Sequence, residues 1–157
     1  MSSTTFSGPV TSTNGFIGAL TGNVTGNVTG NIAGSGSITH ATTAAINATA
    51  TATAAEVATG YITSTSASAT AITLPTGTLL GAALGAVRGT VFDLYVDNTA
   101  GASTVTMVVA VNGILSSAAA DTAGSFGDLT IAAGATGLAR YTIMFSSATA
   151  YVFTRTA

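Results

Sequence analysis

The chain has 157 residues, a formal charge of −2, no cysteine and only 5% charged residues, against about 25% in an average soluble domain. Lysine is absent and the cations are Arg88, Arg140 and Arg155, too few and too scattered to neutralise a run of phosphates, so nucleic acid is not an expected partner. At 47% hydrophobic with little net charge, the composition is not that of a disordered chain, and a surface of Thr, Ser, Asn and Ala offers copies little mutual repulsion. An assembled protein is expected.

Residues 1–17 hold Phe6, Pro9, the Asn14-Gly15 pair and Phe16, and read as an irregular arm with one tight turn. The first ten residues carry no basic region and no apolar run, so no signal peptide is expected.

Residues 18–34 form a strict repeat. Gly18, Gly22, Gly26, Gly30 and Gly34 recur every four residues, with Leu20, Val24, Val28 and Ile32 midway between them. In an extended chain an even period puts every glycine and aliphatic on one face, and the Thr and Asn residues from Thr21 to Asn31 on the other. A helix packed through Gly-x-x-x-Gly is the competitor, but Gly, Asn, Thr and Val are poor to middling helix formers, and a 3.6-residue turn drifts off a four-residue repeat. One extended strand cannot bury such a face on itself. Several copies wound round a common axis can, with Leu20, Val24, Val28 and Ile32 filling the centre and glycine permitting close approach.

Residues 35–55 are an uncharged Ser/Thr/Ala-rich stretch and read as a linker, giving residues 1–55 as arm, stalk and linker and 56–157 as a folded domain. Within the latter, strands are expected at 57–64, 70–74, 90–97, 103–112, 128–132, 139–146 and 150–156, and a short helix over 78–87. Phe92, Leu94 and Val96 share one face, as do Tyr141, Ile143 and Phe145, the alternation of half-buried antiparallel strands. Turns are expected at Asn98-Thr99-Ala100-Gly101, Asn112-Gly113 and Ala133-Gly134. The expected class is all-β, a jelly-roll-like β-sandwich. The uncharged stretch 102–120 is interrupted by Asn112-Gly113 and rich in β-branched residues, so it reads as strand and not as a membrane span.

Reactive groups are sparse. His40 is the sole histidine, with Glu56 the nearest acid in sequence, and is expected to be solvated or on the assembly axis, not catalytic. Asp93 and Asp97 fall on one strand face about 13 Å apart, beyond the span of glycosidase carboxylates, and Asp97 with Asn98 is expected to shape the following turn. Asp121 and Asp128 flank a glycine-containing loop without the oxygen ligands a calcium site needs. No metal, cofactor or catalytic residue is expected. The acceptor patterns at Asn23, Asn27 and Asn47 follow from a composition rich in Asn and Thr. Arg88 is expected to pair with an acid across the sheet or an interface.

The arm Thr5-Phe6-Ser7-Gly8-Pro9-Val10, with Asn14-Gly15-Phe16 and the Gly-Asn-Val-Thr repeats, resembles the N-termini of tailed-bacteriophage virion proteins, particularly head fibres and capsid decoration proteins. The run Arg88-Gly89-Thr90-Val91-Phe92-Asp93-Leu94, with Val96-Asp97-Asn98-Thr99-Ala100-Gly101 and Thr104-Val105-Thr106, resembles a small β-sandwich module of phage structural proteins. The resemblance implies a homotrimer on a capsid exterior, made in the host cytoplasm, with the major capsid protein as partner, neither nucleic acid nor membrane as a partner, and no catalysis. Phe6, Pro9, Val10 and Phe16, which have nothing within the arm to pack on, are the expected capsid contacts. The alternative is a fibre or adhesin that binds a host-surface glycan, for which Tyr61, Tyr95, Tyr141 and Tyr151 are the candidate aromatics.

Overall fold

The computed structural model describes His40, residues 42–115 and residues 129–157. The chain divides into two units, Met1–Gly36 and Ser37–Ala157, and all described residues belong to the second. The expected axis residues Leu20, Val24, Val28 and Ile32, the expected capsid contacts Phe6, Pro9, Val10 and Phe16, the acceptor patterns at Asn23 and Asn27, and Asp121 and Asp128 lie outside the described residues.

The fold is mostly β, with two mixed sheets and few helices. In chain order the elements are β1 (Ala44–Ala45), β2 (Ala50–Thr51), α1 (Ala54–Ala58), β3 (Tyr61–Thr63), β4 (Thr70–Thr73), α2 (Gly77–Leu84), β5 (Val91–Asp97), β6 (Val105–Val108), β7 (Gly113–Leu115), β8 (Thr130–Ile131), a 3₁₀ turn (Gly134–Thr136), β9 (Leu138–Ser147) and β10 (Ala150–Arg155). The six-stranded sheet runs β1-β3-β5-β9-β10-β7 and the four-stranded sheet β2-β4-β6-β8.

From β1 to β8 the chain alternates between the two sheets, strand by strand. A chain that completes such a circuit re-enters each sheet in its former direction, so β1·β3, β3·β5, β2·β4 and β4·β6 pair in parallel. Antiparallel pairing, expected of the alternating strands that hold Phe92 and Tyr141, is found there at β5·β9, and also at β9·β10 and β6·β8. The all-β expectation holds at the level of a β-rich fold; the parallel pairs were not legible because alternation reports that one strand face is buried but not which way its neighbour runs.

Two local signals redraw the expected elements. Thr53 caps α1: its Oγ1 accepts from the Glu56 amide at 3.2 Å, and its own amide donates to Glu56 Oε2 at 2.7 Å. This reciprocal box starts a helix at Ala54 that runs into the strand expected at 57–64, leaving only Tyr61–Thr63 of it as strand. It also anchors residues that had read as linker. β1 and β2 pair with β3 and β4, and Asn47 Oδ1 accepts from the Thr65 amide at 2.8 Å, so the boundary expected at residue 56 falls within the second unit. α2 is close to its expected range and stops one residue before Gly85, which takes φ +58°.

The core follows register. Ala44, Ile62, Val96 and Ala139 lie opposite one another across four strands of the larger sheet, and all four are buried. Ile72 and Met107, and Val105 and Ile131, do the same in the smaller sheet. With Leu94, Tyr141, Ile143, Phe145, Tyr151 and Phe153 they form one cluster, each large side chain stabilising the fold by roughly 1.5–3 kcal/mol relative to exposure. Tyr141 stacks on Phe153 with centroids 4.6 Å apart. The Tyr151 hydroxyl donates to the Pro75 carbonyl at 3.1 Å, which satisfies the one polar atom of a side chain otherwise suited to the core.

Asn98, fully buried, closes one end. Its Nδ2 donates to the carbonyls of Ser103 at 2.8 Å and Ala132 at 2.9 Å, and its backbone amide donates to Gly137 at 2.6 Å. The turn after β5 is thereby tied to the loop between β8 and β9.

Candidate functional site

The side chains of β5 alternate strictly. Leu94 and Val96 face the core, and Asp93, Tyr95 and Asp97 stand on the opposite face. Register then sets their neighbours: Tyr95 lies between Tyr61 of β3 and Arg140 of β9, Asp93 is opposite Thr142, and Asp97 is opposite Thr63 on one side and Leu138 on the other. A row Tyr61–Tyr95–Arg140 thus crosses three strands, flanked by one carboxylate on each side.

Each polar member is held. Asp93 takes a 2.5 Å ion pair from Arg140 and a 2.8 Å hydrogen bond from the Thr142 hydroxyl. Burial works to raise its carboxyl, but the bonds from Arg140 and Thr142 and the guanidinium charge outweigh this and hold it below the ordinary carboxylate value. Asp97 is held low chiefly by the Thr99 hydroxyl, which donates at 2.6 Å. The Thr99 amide and the Tyr61 hydroxyl, both donating at 2.9 Å, act in the same direction. Partial burial, and then donation to Asp97, raises Tyr61 above the usual tyrosine value. The Arg140 guanidinium carbon lies 5.8 Å from the Tyr95 ring centroid, a cation–π distance.

His40 completes the group. Its Nδ1 lies 2.8 Å from the Thr59 carbonyl; a carbonyl only accepts, so Nδ1 carries the proton and a neutral ring has Nε2 as its acceptor. The imidazole is 5.8 Å from the Tyr61 ring and 5.7 Å from the Tyr95 ring, which are themselves 6.3 Å apart. His40, Tyr61, Val91, Phe92, Asp93 and Tyr95 line a cleft of about 470 Å³, within the size range of small-ligand sites.

Both carboxylates are ionised and engaged, so neither holds a proton to deliver near neutral pH. What the cleft offers is ring surface, fixed acceptors and a guanidinium. No group of three His, Cys, Asp or Glu residues that could hold a metal occurs among the described residues.

Several expectations change here. His40, expected to be solvated or axial, is half-buried against the sheet. Of the four candidate tyrosines, Tyr141 and Tyr151 are fully buried in the core, while Tyr61 and Tyr95 stand on the open face. Asp97 shapes its turn as expected, through Thr99. Arg88, expected in an ion pair, lines a separate shallow cleft with Gly89, Met144, Phe145, Ser146 and Val152; an ion pair does form between Arg140 and Asp93. The Tyr61–Tyr95–Arg140 row escaped sequence reading because cross-strand register was unknown, although Asp93-x-Tyr95-x-Asp97 carried half of it.

Among the described residues no helix is long and apolar enough to cross a membrane. No family model, no curated protein and no solved structure matches the chain.

Proposed function

We propose that the chain is a virion structural protein of a bacterial virus that decorates the capsid exterior as a homotrimer and stabilises it by bridging major capsid proteins. In this reading the repeat 18–34 is a trimeric extended stalk, with Leu20, Val24, Val28 and Ile32 on its axis, and the two-sheet body is a β-sandwich displayed by it. Support comes from comparing the core of the body with the sequence of the arm and repeat. The body gathers most of its large apolar side chains into one buried cluster, with single residues such as Leu79, Val91 and Leu138 left exposed, whereas the arm and repeat carry Phe6, Pro9, Val10, Phe16 and a one-sided aliphatic row that local sequence gives nothing to pack on. Three arms bound to several capsid subunits act with avidity, and separating those subunits then requires breaking several contacts together.

The test is truncation. A variant starting at Asn14 should remain trimeric by sedimentation and bind particles much more weakly. Unchanged particle binding would place the attachment on the body instead, and a stable monomer of the full chain at micromolar concentration would remove the trimer. Cryo-EM of the virion separates decoration, with hundreds of copies, from a fibre with about a dozen.

A further inference from the structure

We propose that the cleft lined by His40, Tyr61, Asp93 and Tyr95, with Arg140 and the Tyr61-bound Asp97 beside it, binds an uncharged pyranose, one or two sugar rings in extent. This is independent of how, or whether, the chain attaches to a capsid.

The first observation is concentration of chemistry. The chain has eight charged side chains and one histidine in all, yet Asp93, Asp97, Arg140 and His40 meet around one pair of tyrosines. Elsewhere the surface is kept polar mainly by Thr, Ser and Asn, with Glu56, Arg88 and Arg155 scattered singly, so solubility does not require these groups to be together.

The second is free hydrogen-bonding capacity held in fixed places. A carboxylate oxygen accepts about two hydrogen bonds. Asp97 Oδ2 receives one from Tyr61, and the two oxygens of Asp93 receive one each from Arg140 and Thr142. Each of these oxygens retains a lone pair for a ligand hydroxyl, and His40 Nε2 is a further acceptor once Nδ1 is committed to Thr59. Every one of these side chains already has a partner on the protein, so little freedom is lost when a ligand arrives. A sugar, with hydroxyls on its edge and C–H groups on its faces, matches acceptors set beside aromatic rings, whose negative faces attract those C–H groups.

The third is charge. Arg140 neutralises Asp93, while Asp97 is compensated only by hydroxyl and amide donors, which leaves the cleft with a negative balance that opposes acidic sugars and phosphates. A cationic ligand is disfavoured as well, because Arg140 already holds the cation position over Tyr95. An uncharged ring is the remaining fit, and the cleft volume of about 470 Å³ accommodates it.

The experiment is a titration of the full, ¹⁵N-labelled chain with methyl glycosides of glucose, galactose, mannose and N-acetylglucosamine, alongside N-acetylneuraminic acid and choline. At least one uncharged glycoside should give saturable amide shifts, at millimolar concentration, centred on residues 40, 60–61, 93–97 and 140. Tyr95→Ala and Asp97→Asn should each weaken that response roughly tenfold, while the exposed Val108→Ala on the other sheet leaves it unchanged; amides of buried strand residues report that each variant is folded. The proposal is overturned if no uncharged glycoside gives a saturable response, if the acid or choline binds better, or if the response survives both site variants. Dissociation of the oligomer by Tyr95→Ala would also overturn it, by showing that a second copy occupies the face. Particle binding by Tyr95→Ala, measured in parallel, reports on decoration separately.

Discussion

The His40 imidazole occupies the space that a side chain on Gly60 would need: a Cβ at Gly60 would lie 2.7 Å from His40 Nδ1, and Gly60 itself holds φ at +75°. A single alanine therefore meets two obstacles, one steric and one in the backbone. Gly60→Ala should cost about 2 kcal/mol or more by urea unfolding. In a His40→Ala background the steric part is gone, and the same change should cost about 1 kcal/mol. Equal costs in the two backgrounds would mean that His40 does not rest on Gly60 in solution.

Asn98 should be among the least replaceable polar residues of the body. Asn98→Ala strips the carbonyls of Ser103 and Ala132 of their donor in a buried place, and a loss of roughly 2–4 kcal/mol is expected. Asn98→Asp should be worse, since it sets a carboxylate against those same carbonyls. Denaturant midpoints of the two variants give the ranking.

Helix α2 packs glycine against a turn. A Cβ on Gly81 would collide with the Ala148 carbonyl oxygen and sit 3.0 Å from its carbon. Gly81→Ala should thus destabilise by about 1–3 kcal/mol despite alanine's better helix propensity, whereas Thr78→Ala on the exposed side should change stability by less than about 0.5 kcal/mol. Thermal unfolding of both variants distinguishes packing from propensity.

Stability should fall at both ends of the pH scale, for different reasons. Asp93 and Asp97 are held below the ordinary 3.8, so their contribution is present above that value and is lost as pH falls through their lower folded values. At the alkaline end, burial pushes Tyr151 from 10.0 up to about 12. Between those values the folded state keeps a proton that the unfolded state releases, so stability declines as pH rises, by roughly 2–3 kcal/mol in full. Tyr151→Phe should flatten most of that alkaline slope, which urea titrations at stepped pH would show.

Much of the fold was legible where the pattern is local. The alternation in 90–97 and 139–146 located β5 and β9 and chose their buried faces, while the helix expected over 78–87 was carried past its stop at Gly85. What stayed hidden depends on partners distant in sequence. The parallel pairing of β3 with β5 brings Ile62 against Val96 across a whole circuit of the chain, and no local spacing encodes it. The short strands at 44–45 and 50–51 are strands only because β3 and β4 hold them. The site was hidden for the same reason: Asp93, Tyr95 and Asp97 were readable as one face, but Tyr61, Arg140 and His40 reach it from other parts of the chain.

The alternating path also bears on biosynthesis. A ribosome completes β5 before it makes residues 98–137, and only then the strand β9 that covers its open edge. Throughout that interval Phe92, Leu94 and Val96 belong to a nascent strand with an unpaired side, open to another nascent chain. Asp93 and Asp97 interrupt that run at alternate positions, and charges so placed act as gatekeepers against intermolecular pairing. Exchanging Asp93 for valine should therefore lower soluble yield from cells by more than it lowers the stability of purified, folded protein.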